Sequence, residues 1–196
     1  MNLEFIDFLN SLVVNGLSAG RIRLFGDFNA QAVQNAEISF SEFKDNIVSD
    51  ISIFSLGKNC RNTPRIGLFA QNFTNGAVKY AGFFRNDDEL KPRILHYTSS
   101  EDQSSLLIKE VAKYKADGIE INELAILSCK SHGSVIDKIV QIFSKSQNPK
   151  DELENGLICT TIRRFKGLER YAVIITDIED ASQIQLLELL YIASTR

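Results

Sequence analysis

The chain has 196 residues, of which 22 are basic and 25 acidic, and its formal net charge is −3. This length is enough to bury one good core, and hydrophobic and charged shares of 44% and 24% are ordinary for a globular protein. The composition therefore excludes a mainly disordered chain, and it lacks the basic surplus of a typical nucleic-acid-binding protein. Positive charge is nevertheless concentrated locally, at Arg163, Arg164, Lys166 and Arg170.

The cysteines and the apolar runs narrow the class of protein further. Cys60, Cys129 and Cys159 are far apart and form no Cys-x-x-Cys pair. This spacing argues against a disulfide framework and against a structural zinc site. Because no apolar run is long enough to span a bilayer and the N-terminus does not resemble a signal peptide, we expect a cytoplasmic protein with no membrane partner.

The first half of the chain mixes one strong helical pattern with short apolar runs. Apolar residues at helical spacing predict a helix over 3–14, which Asn15-Gly16 ends. Proline is tolerated at the first position of a helix, so Pro64 predicts a helix that runs to about Ala70. The short apolar runs predict strands over 21–25, 51–56, 76–84 and 92–97.

The second half alternates strands and helices more regularly. The pattern predicts a capped helix over 103–115, a helix over 134–144 and a final helix over 184–193, with strands over 123–128, 157–161 and 172–176. This alternation predicts an α/β fold with a doubly wound, mainly parallel sheet flanked by helices. Ligands bind at the carboxyl ends of the strands in such sheets, where Asp27, Arg61 and residues 163–169 are expected to lie.

Two segments near the end of the sequence carry the most specific motifs. One reads Thr-Thr-Ile-Arg-Arg-Phe-Lys-Gly-Leu-Glu over 160–169 and leads into an apolar strand, and the other reads Tyr-Ile-Ala-Ser-Thr-Arg over 191–196. They resemble motifs V and VI of superfamily 1 DNA helicases of the UvrD/Rep type. The resemblance implies a RecA-like, P-loop NTPase-like second domain that is incomplete at both ends.

If the resemblance is set aside, the residues over 166–169 are compatible with nucleotide binding and also with an ordinary turn. Gly167 allows a ligand to approach the backbone closely, Lys166 can face phosphates, and Glu169 can accept a hydrogen bond from a ribose hydroxyl. The alternative is a turn between two strands with solvated charges. The resemblance favours the first interpretation, and it assigns Thr161, Arg163 and Arg164 to a track for single-stranded DNA, although many family members have a histidine at the position of Arg163.

Two arginines are assigned to the γ-phosphate of ATP by the same resemblance. Arg196 matches the motif VI arginine, which reaches that phosphate across the cleft between two RecA-like domains. A guanidinium suits this role because its charge is fixed and its geometry is bidentate. Arg61 lies in Asn-Cys-Arg, which resembles the Asn-Tyr-Arg of motif IV, with Cys60 in place of the tyrosine that stacks on adenine.

Gly-Asp-Phe-Asn-Ala-Gln over 26–31 resembles motif III with one extra residue. Asp27 and Gln31 are the matching residues, and the resemblance gives the glutamine the role of a γ-phosphate sensor. We therefore expect residues 1–40 to be the end of a first RecA-like domain and residues 41–196 to be a second one.

The sequence contains no Gly-x-x-x-x-Gly-Lys-Ser/Thr string, and the acidic Walker B pair expected before motif III is also absent. The resemblance thus implies a missing N-terminal RecA-like domain as a partner, together with single-stranded or partly duplex DNA. ATP and Mg2+ are expected in the intact parent protein, and neither is expected to bind tightly to this chain alone.

Two other interpretations stay open at this stage. One is a stand-alone, degenerate RecA-like module that binds protein or nucleic acid without ATP turnover. Cys60, Gln34 and Arg163 in place of family residues favour this slightly, whereas the preserved residues Arg61, Gln31, Glu169 and Arg196 argue against it. An unrelated doubly wound nucleotide-binding protein is the other alternative, but it would need a glycine-rich phosphate loop.

Overall fold

The structure is a computed structural model, and it describes residues 3–19, 21, 23, 25, 52, 54–143, 156–179 and 184–196. The chain divides into two compact units, Met1–Gly57 and Lys58–Arg196. Asp27, Gln31 and the predicted domain boundary near residue 40 lie outside the described residues, so those assignments stay predictions. No helix in the described part of the chain is long and apolar enough to cross a membrane.

The first unit contains two helices, α1 (Leu3–Leu12) and α2 (Gly16–Ala19). Asn15 between them has a φ of 68°, in the left-handed region that ends helices. The side chain of Asn10 accepts a hydrogen bond from the backbone N–H of Leu17 at 2.8 Å, which ties the second helix to the first. The predicted helix and its stop are confirmed.

The second unit begins with a small parallel sheet. Strand β1 (Lys58–Asn59) pairs with β2 (Gly82–Phe83), and helix α3 (Pro64–Gln71) with a following 3-10 turn (Asn72–Thr74) connects them. Gly67 of α3 allows this close packing, because a Cβ there would lie only 2.3 Å from Cε1 of Phe83. The predicted helix is confirmed, whereas the strand predicted over 76–84 is reduced to two residues.

The strands predicted over 51–56 and 92–97 are wrong for the residues that the structure describes there. Phe54 and Leu56 are 86% exposed and Ile94 is 69% exposed, so the apolar character of these runs does not reflect burial in a sheet. A strand needs a partner strand and a covered face, and the apolar pattern by itself did not show that both are lacking here.

Helix α4 (Ser100–Ala116) follows, and its ends match the predicted signals. The Ser99 hydroxyl accepts a hydrogen bond from the backbone N–H of Asp102 at 3.1 Å, as an N-cap should. Gly118, with a φ of 85°, follows the C-cap Asp117 and lets the chain turn towards the second sheet.

The second sheet has three parallel strands in the order β4-β3-β5, and it is the centre of the unit. The strands are β3 (Leu124–Ser128), β4 (Ile158–Thr161) and β5 (Ala172–Thr176). The helices that follow them are α5 (Ile136–Phe143), α6 (Ile162–Phe165) and α7 (Ile184–Ser194). The three strands and the helices α5 and α7 were predicted, and α6 was not.

The core lies around β3, which is buried along its whole length. Leu107 and Val111 of α4 and Ile139 of α5 pack in the same cluster as Leu124 and Ile126 of this strand. Helix α7 packs against both α3 and β5, and thereby connects the two sheets of the unit. The fold is α/β with small parallel sheets flanked by helices. The single doubly wound sheet that was predicted is present as two separate sheets in the described residues.

Candidate functional site

The carboxyl ends of the three strands lie level with one another. Ser128 of β3 pairs with Thr161 of β4 on one side and with Thr176 of β5 on the other. The Thr161 hydroxyl accepts a hydrogen bond from the backbone N–H of Arg164 at 3.3 Å and so caps α6. This cap sets Arg163 and Arg164, both exposed, beside the carboxyl end of β4.

Helix α6 fixes the direction in which the chain leaves that edge. Ile162 and Phe165 are 2% and 0% exposed, so this four-residue helix is held by burial rather than by its own length. Gly167 follows with a φ of 95°, a conformation that a residue with a Cβ rarely adopts, and its surroundings are open. The backbone is therefore accessible to a ligand at Gly167, next to the exposed Lys166.

The segment over 162–171 must cross the unit, because β4 and β5 are both parallel to β3. A chain that leaves the carboxyl end of one strand and enters a parallel strand returns to the opposite edge. Glu169 accordingly lies three residues before Ala172, where β5 begins. The expectation that all of residues 163–169 lie at the carboxyl ends is wrong for Glu169, which lies near the amino end of β5.

Arg196 lies at this amino end as well, because α7 runs back after β5. The backbone N–H of Arg170 donates to the carbonyl oxygen of Arg196 at 3.4 Å. Burial lowers the pKa of Arg196, and the positive charge of Arg61 lowers it further, while Glu169 and Tyr191 act in the opposite direction. The backbone contact with Arg170 places Arg196 close to Glu169, and Arg61 is near enough for its charge to act on Arg196.

The loop after β1 presents Arg61 through the side chain of Asn59, which is only 8% exposed. Its Oδ1 accepts hydrogen bonds from the backbone N–H groups of Arg61 at 2.9 Å and Asn62 at 3.0 Å. Its Nδ2 donates to Oδ1 of Asn62 at 3.3 Å. This turn needs the short amide side chain of asparagine, and it leaves the Arg61 side chain exposed.

A pair of tyrosines connects this part of the unit to α7. The hydroxyl groups of Tyr80 and Tyr191 are 2.9 Å apart and share a hydrogen bond. The Tyr80 ring also meets Phe83 edge to face, with the ring centres 5.5 Å apart. The shared hydrogen bond thus links Tyr80 to α7, and Tyr191 also contributes to the electrostatic environment of Arg196.

A second polar cluster, which the sequence analysis missed, lies at the carboxyl end of β5. Asp177 is 5% exposed and has a φ of 60°. Its Oδ2 accepts hydrogen bonds from the hydroxyls of Ser128 at 2.5 Å and Ser134 at 2.6 Å, and its Oδ1 accepts one from Nε2 of Gln103 at 2.9 Å. We call these four residues the Asp177 cluster. The sequence did contain one signal for this cluster, because a polar residue lies at the end of β3 (Ser128) and directly after β5 (Asp177).

The carboxylate of Asp177 stays ionised in spite of its burial. Burial raises its pKa, but hydrogen bonds from Ser128, Ser134 and Gln103 lower the pKa, and the net shift is downward. The pKa of the neighbouring Cys129 thiol is shifted upward instead. Burial and the negative charge of Asp177 raise this pKa to about 12. Cys129 is therefore a neutral thiol at physiological pH and not a nucleophile.

The predicted residues thus fall into two groups at opposite ends of the sheet. Thr161, Arg163 and Arg164 lie at the carboxyl end, and Glu169 and Arg196 lie near the amino end, with Lys166 and Gly167 on the segment between. Arg61 follows strand β1 of the two-stranded sheet, and its charge acts on Arg196. Among the described residues, no group of three or more His, Cys, Asp or Glu side chains is arranged to hold a metal ion. Comparison with protein-family profiles and with curated proteins found no match.

Proposed function

We propose that this chain is the second RecA-like domain of an ATP-dependent DNA helicase or translocase of the UvrD/Rep type. The observation that carries the proposal is the course of residues 161–170. This segment begins with exposed cationic side chains at one edge of a parallel sheet. It ends at the opposite end of the sheet, where Arg170 contacts the backbone of Arg196 and where Glu169 and Arg61 both act on the charge of Arg196. Such a segment can contact DNA and nucleotide at once.

At the amino end, the proposed role of Arg61 and Arg196 is to stabilise negative charge on the γ-phosphate of ATP. Each guanidinium supplies a fixed positive charge and a planar set of donors, which match a phosphoryl group in transfer. Mutual repulsion between the two cations is relieved when a polyanion lies between them. Glu169 is proposed to accept a hydrogen bond from the ribose.

At the carboxyl end, Thr161, Arg163 and Arg164 are proposed to contact the backbone of single-stranded or partly duplex DNA. Two exposed arginines held on a buried, capped turn suit phosphates, which the protein binds by charge rather than by sequence. No aromatic platform for base stacking was found in the sequence segments that supply one in the family.

The sequence has no P-loop, so the proposed site is completed by another domain. That domain would hold the β- and γ-phosphates and Mg2+, whereas this chain would supply the arginines and close the cleft. The chain alone should therefore hydrolyse ATP no faster than background. A Mg2+-dependent turnover by the isolated chain that disappears in Arg196→Ala would contradict this assignment.

Binding to a labelled single-stranded oligonucleotide tests the DNA half of the proposal. The double variant Arg163→Ala/Arg164→Ala should bind more weakly, and its log–log salt slope should fall by about 1.4, because each phosphate contact contributes about 0.7. Lys109→Ala/Lys113→Ala removes the same charge from exposed positions of α4 and is the matched control. An equal loss in both double variants would attribute the effect to net charge and reject the assigned contact.

The source genome tests the ATP half. An open reading frame that continues upstream of Met1 into Asp-Glu and a Gly-x-x-x-x-Gly-Lys-Thr string would support the helicase. A stop codon directly upstream would favour the stand-alone binding module instead. The structure adds one observation in favour of that alternative, which is that Cys60 is exposed at the position where the family has its adenine-stacking tyrosine.

A further inference from the structure

Arg170 is a residue that neither the sequence motifs nor the proposed function assigns to a role. It is partly buried, and its Nε is fully buried without a hydrogen-bond partner. The Nε of Arg196 is in the same condition. Buried side-chain donors in folded proteins nearly always have partners, so each of these two unpaired nitrogens requires an explanation.

The two arginines are neighbours through the backbone. The N–H of Arg170 donates to the carbonyl oxygen of Arg196 at 3.4 Å, and Nη1 of Arg170 donates to the carbonyl oxygen of Glu169 at 2.9 Å. The second contact holds the guanidinium of Arg170 beside the residue that couples electrostatically to Arg196. Within the described residues, neither arginine forms a salt bridge with a carboxylate.

A guanidinium group with a buried, unpaired donor is costly unless an acceptor satisfies that donor. A phosphate group matches the requirement, because it accepts several charge-assisted hydrogen bonds and offsets positive charge. Arg61 brings a third guanidinium to the same neighbourhood from the loop after β1. Three cations on three separate elements suit an extended polyanion better than a single charge.

We propose that Arg170 is a phosphate-binding residue that acts beside Arg196 on the phosphate chain of a nucleoside triphosphate. This assignment rests on the proposed function, and it deepens that function by naming the polyphosphate as the part of the ligand that this chain binds. Inorganic tripolyphosphate should then bind measurably, although not tightly, to the chain without Mg2+ and without a nucleoside. AMP, with its single phosphate, should bind much more weakly.

Calorimetric titration of the isolated chain with tripolyphosphate, ATP and AMP tests the assignment. Arg170→Ala should weaken tripolyphosphate binding about tenfold or more, the effect of losing charged hydrogen bonds. Arg170→Lys should be intermediate, because lysine keeps the charge but loses the planar fork. Lys109→Ala is the matched loss of one exposed positive charge, and thermal unfolding of each variant shows whether it is folded.

Each outcome decides a different question. Loss of affinity in both Arg170→Ala and Arg196→Ala, with Lys109→Ala unchanged, supports the assignment. Loss in Arg196→Ala alone overturns the role of Arg170 and leaves the proposed function standing. Equal affinity for AMP and ATP, or no binding of tripolyphosphate to the wild-type chain, also overturns it. The oligonucleotide titration reports separately on the proposed function, because it uses arginines at the other end of the sheet.

Discussion

The two ends of the β4-β3-β5 sheet each collect charged and polar side chains, but they differ in how completely those groups are paired. At the carboxyl end, the buried carboxylate of Asp177 receives hydrogen bonds from three side chains. At the amino end, Arg170 and Arg196 both have buried nitrogens without a partner. Complete pairing fits a structural role for the Asp177 cluster, and incomplete pairing of the two arginines is the observation on which their proposed role in phosphate binding rests.

The largest effect should come from Arg196→Ala in a protein that also carries the P-loop domain. If Arg196 acts as the proposed arginine finger, hydrolysis at saturating ATP should fall by roughly 10³-fold or more. Nucleotide binding should suffer far less than in the isolated chain, because the P-loop domain also holds the phosphates. Steady-state ATPase rates and a nucleotide titration separate the two quantities. Retained hydrolysis would remove Arg196 from the site and end the contrast between the two ends of the sheet.

Asp177→Ala should destabilise the isolated chain by about 3 kcal/mol, because the donors of Ser128, Ser134 and Gln103 lose a charged acceptor. Urea unfolding measures this change in the free energy of unfolding. Asp87→Ala is a control, since Asp87 is an exposed carboxylate that pairs with Arg65 at 2.9 Å and contributes little at the surface. Equal decreases in the free energy of unfolding of the two variants would show that the Asp177 cluster stabilises the fold no more than a surface ion pair does.

The contribution of Asp177 should also depend on pH. Its pKa is lowered in the folded protein, so its stabilisation is present above its ordinary pKa of about 3.9 and is lost as the pH falls through the folded pKa. The difference in stability between wild type and Asp177→Asn should therefore be constant near neutral pH and shrink below about pH 4. A difference that persists unchanged at lower pH would assign it to packing rather than to charge.

Gly67→Ala should destabilise the region beneath Arg61 by about 2 kcal/mol, because the new Cβ would lie 2.3 Å from the Phe83 ring. Gly82→Ala is the matched control, since a Cβ there meets nothing within 4 Å. The double variant Gly67→Ala/Phe83→Leu should recover part of the loss by making room. If Phe83→Leu does not relieve the destabilisation, its cause lies in the backbone of α3 and not in the contact between the new Cβ and the Phe83 ring.

The smallest effect is expected for Tyr80→Phe, which removes one hydroxyl from the shared hydrogen bond with Tyr191. The cost should be about 1 kcal/mol, typical of a neutral hydrogen bond in a partly buried place. The tripolyphosphate affinity of the same variant tests whether the hydrogen bond between Tyr80 and Tyr191 also positions Arg196. An unchanged affinity together with a small loss of stability would restrict the tyrosine pair to a structural role.

The parts of the fold that sequence reasoning predicted well are those that local signals determine. Helix α4 has a serine N-cap and a glycine beyond its C-cap, and β3 is a short apolar run that is buried as expected. The runs over 51–56 and 92–97 looked similar but lack a partner strand among the described residues. The rest of the fold decides whether an apolar run pairs with another strand, and the local sequence pattern does not contain this information.

The candidate site also depended on the three-dimensional arrangement of its elements. The sequence motifs grouped Arg61, Glu169 and Arg196, but they did not show that Glu169 lies near the amino end of the sheet. That position follows from the parallel arrangement of β4 and β5, because the chain must cross the sheet between them. The Asp177 cluster draws its members from α4, from the end of β3 and from the loop before α5. No local pattern joins residues that lie 43 and 74 positions apart, so it became visible only in three dimensions.

The three thiols differ enough in reactivity to make this chain easy to label at one position. Cys159 is buried, Cys129 has a pKa of about 12, and Cys60 is exposed. A maleimide reacts with thiolates, so it should modify Cys60 first and leave the other two intact in the folded protein. A fluorophore at this position would be adjacent to Arg61 in the sequence without any engineered cysteine, and a change in its emission on addition of tripolyphosphate would test whether the anion binds near Arg61.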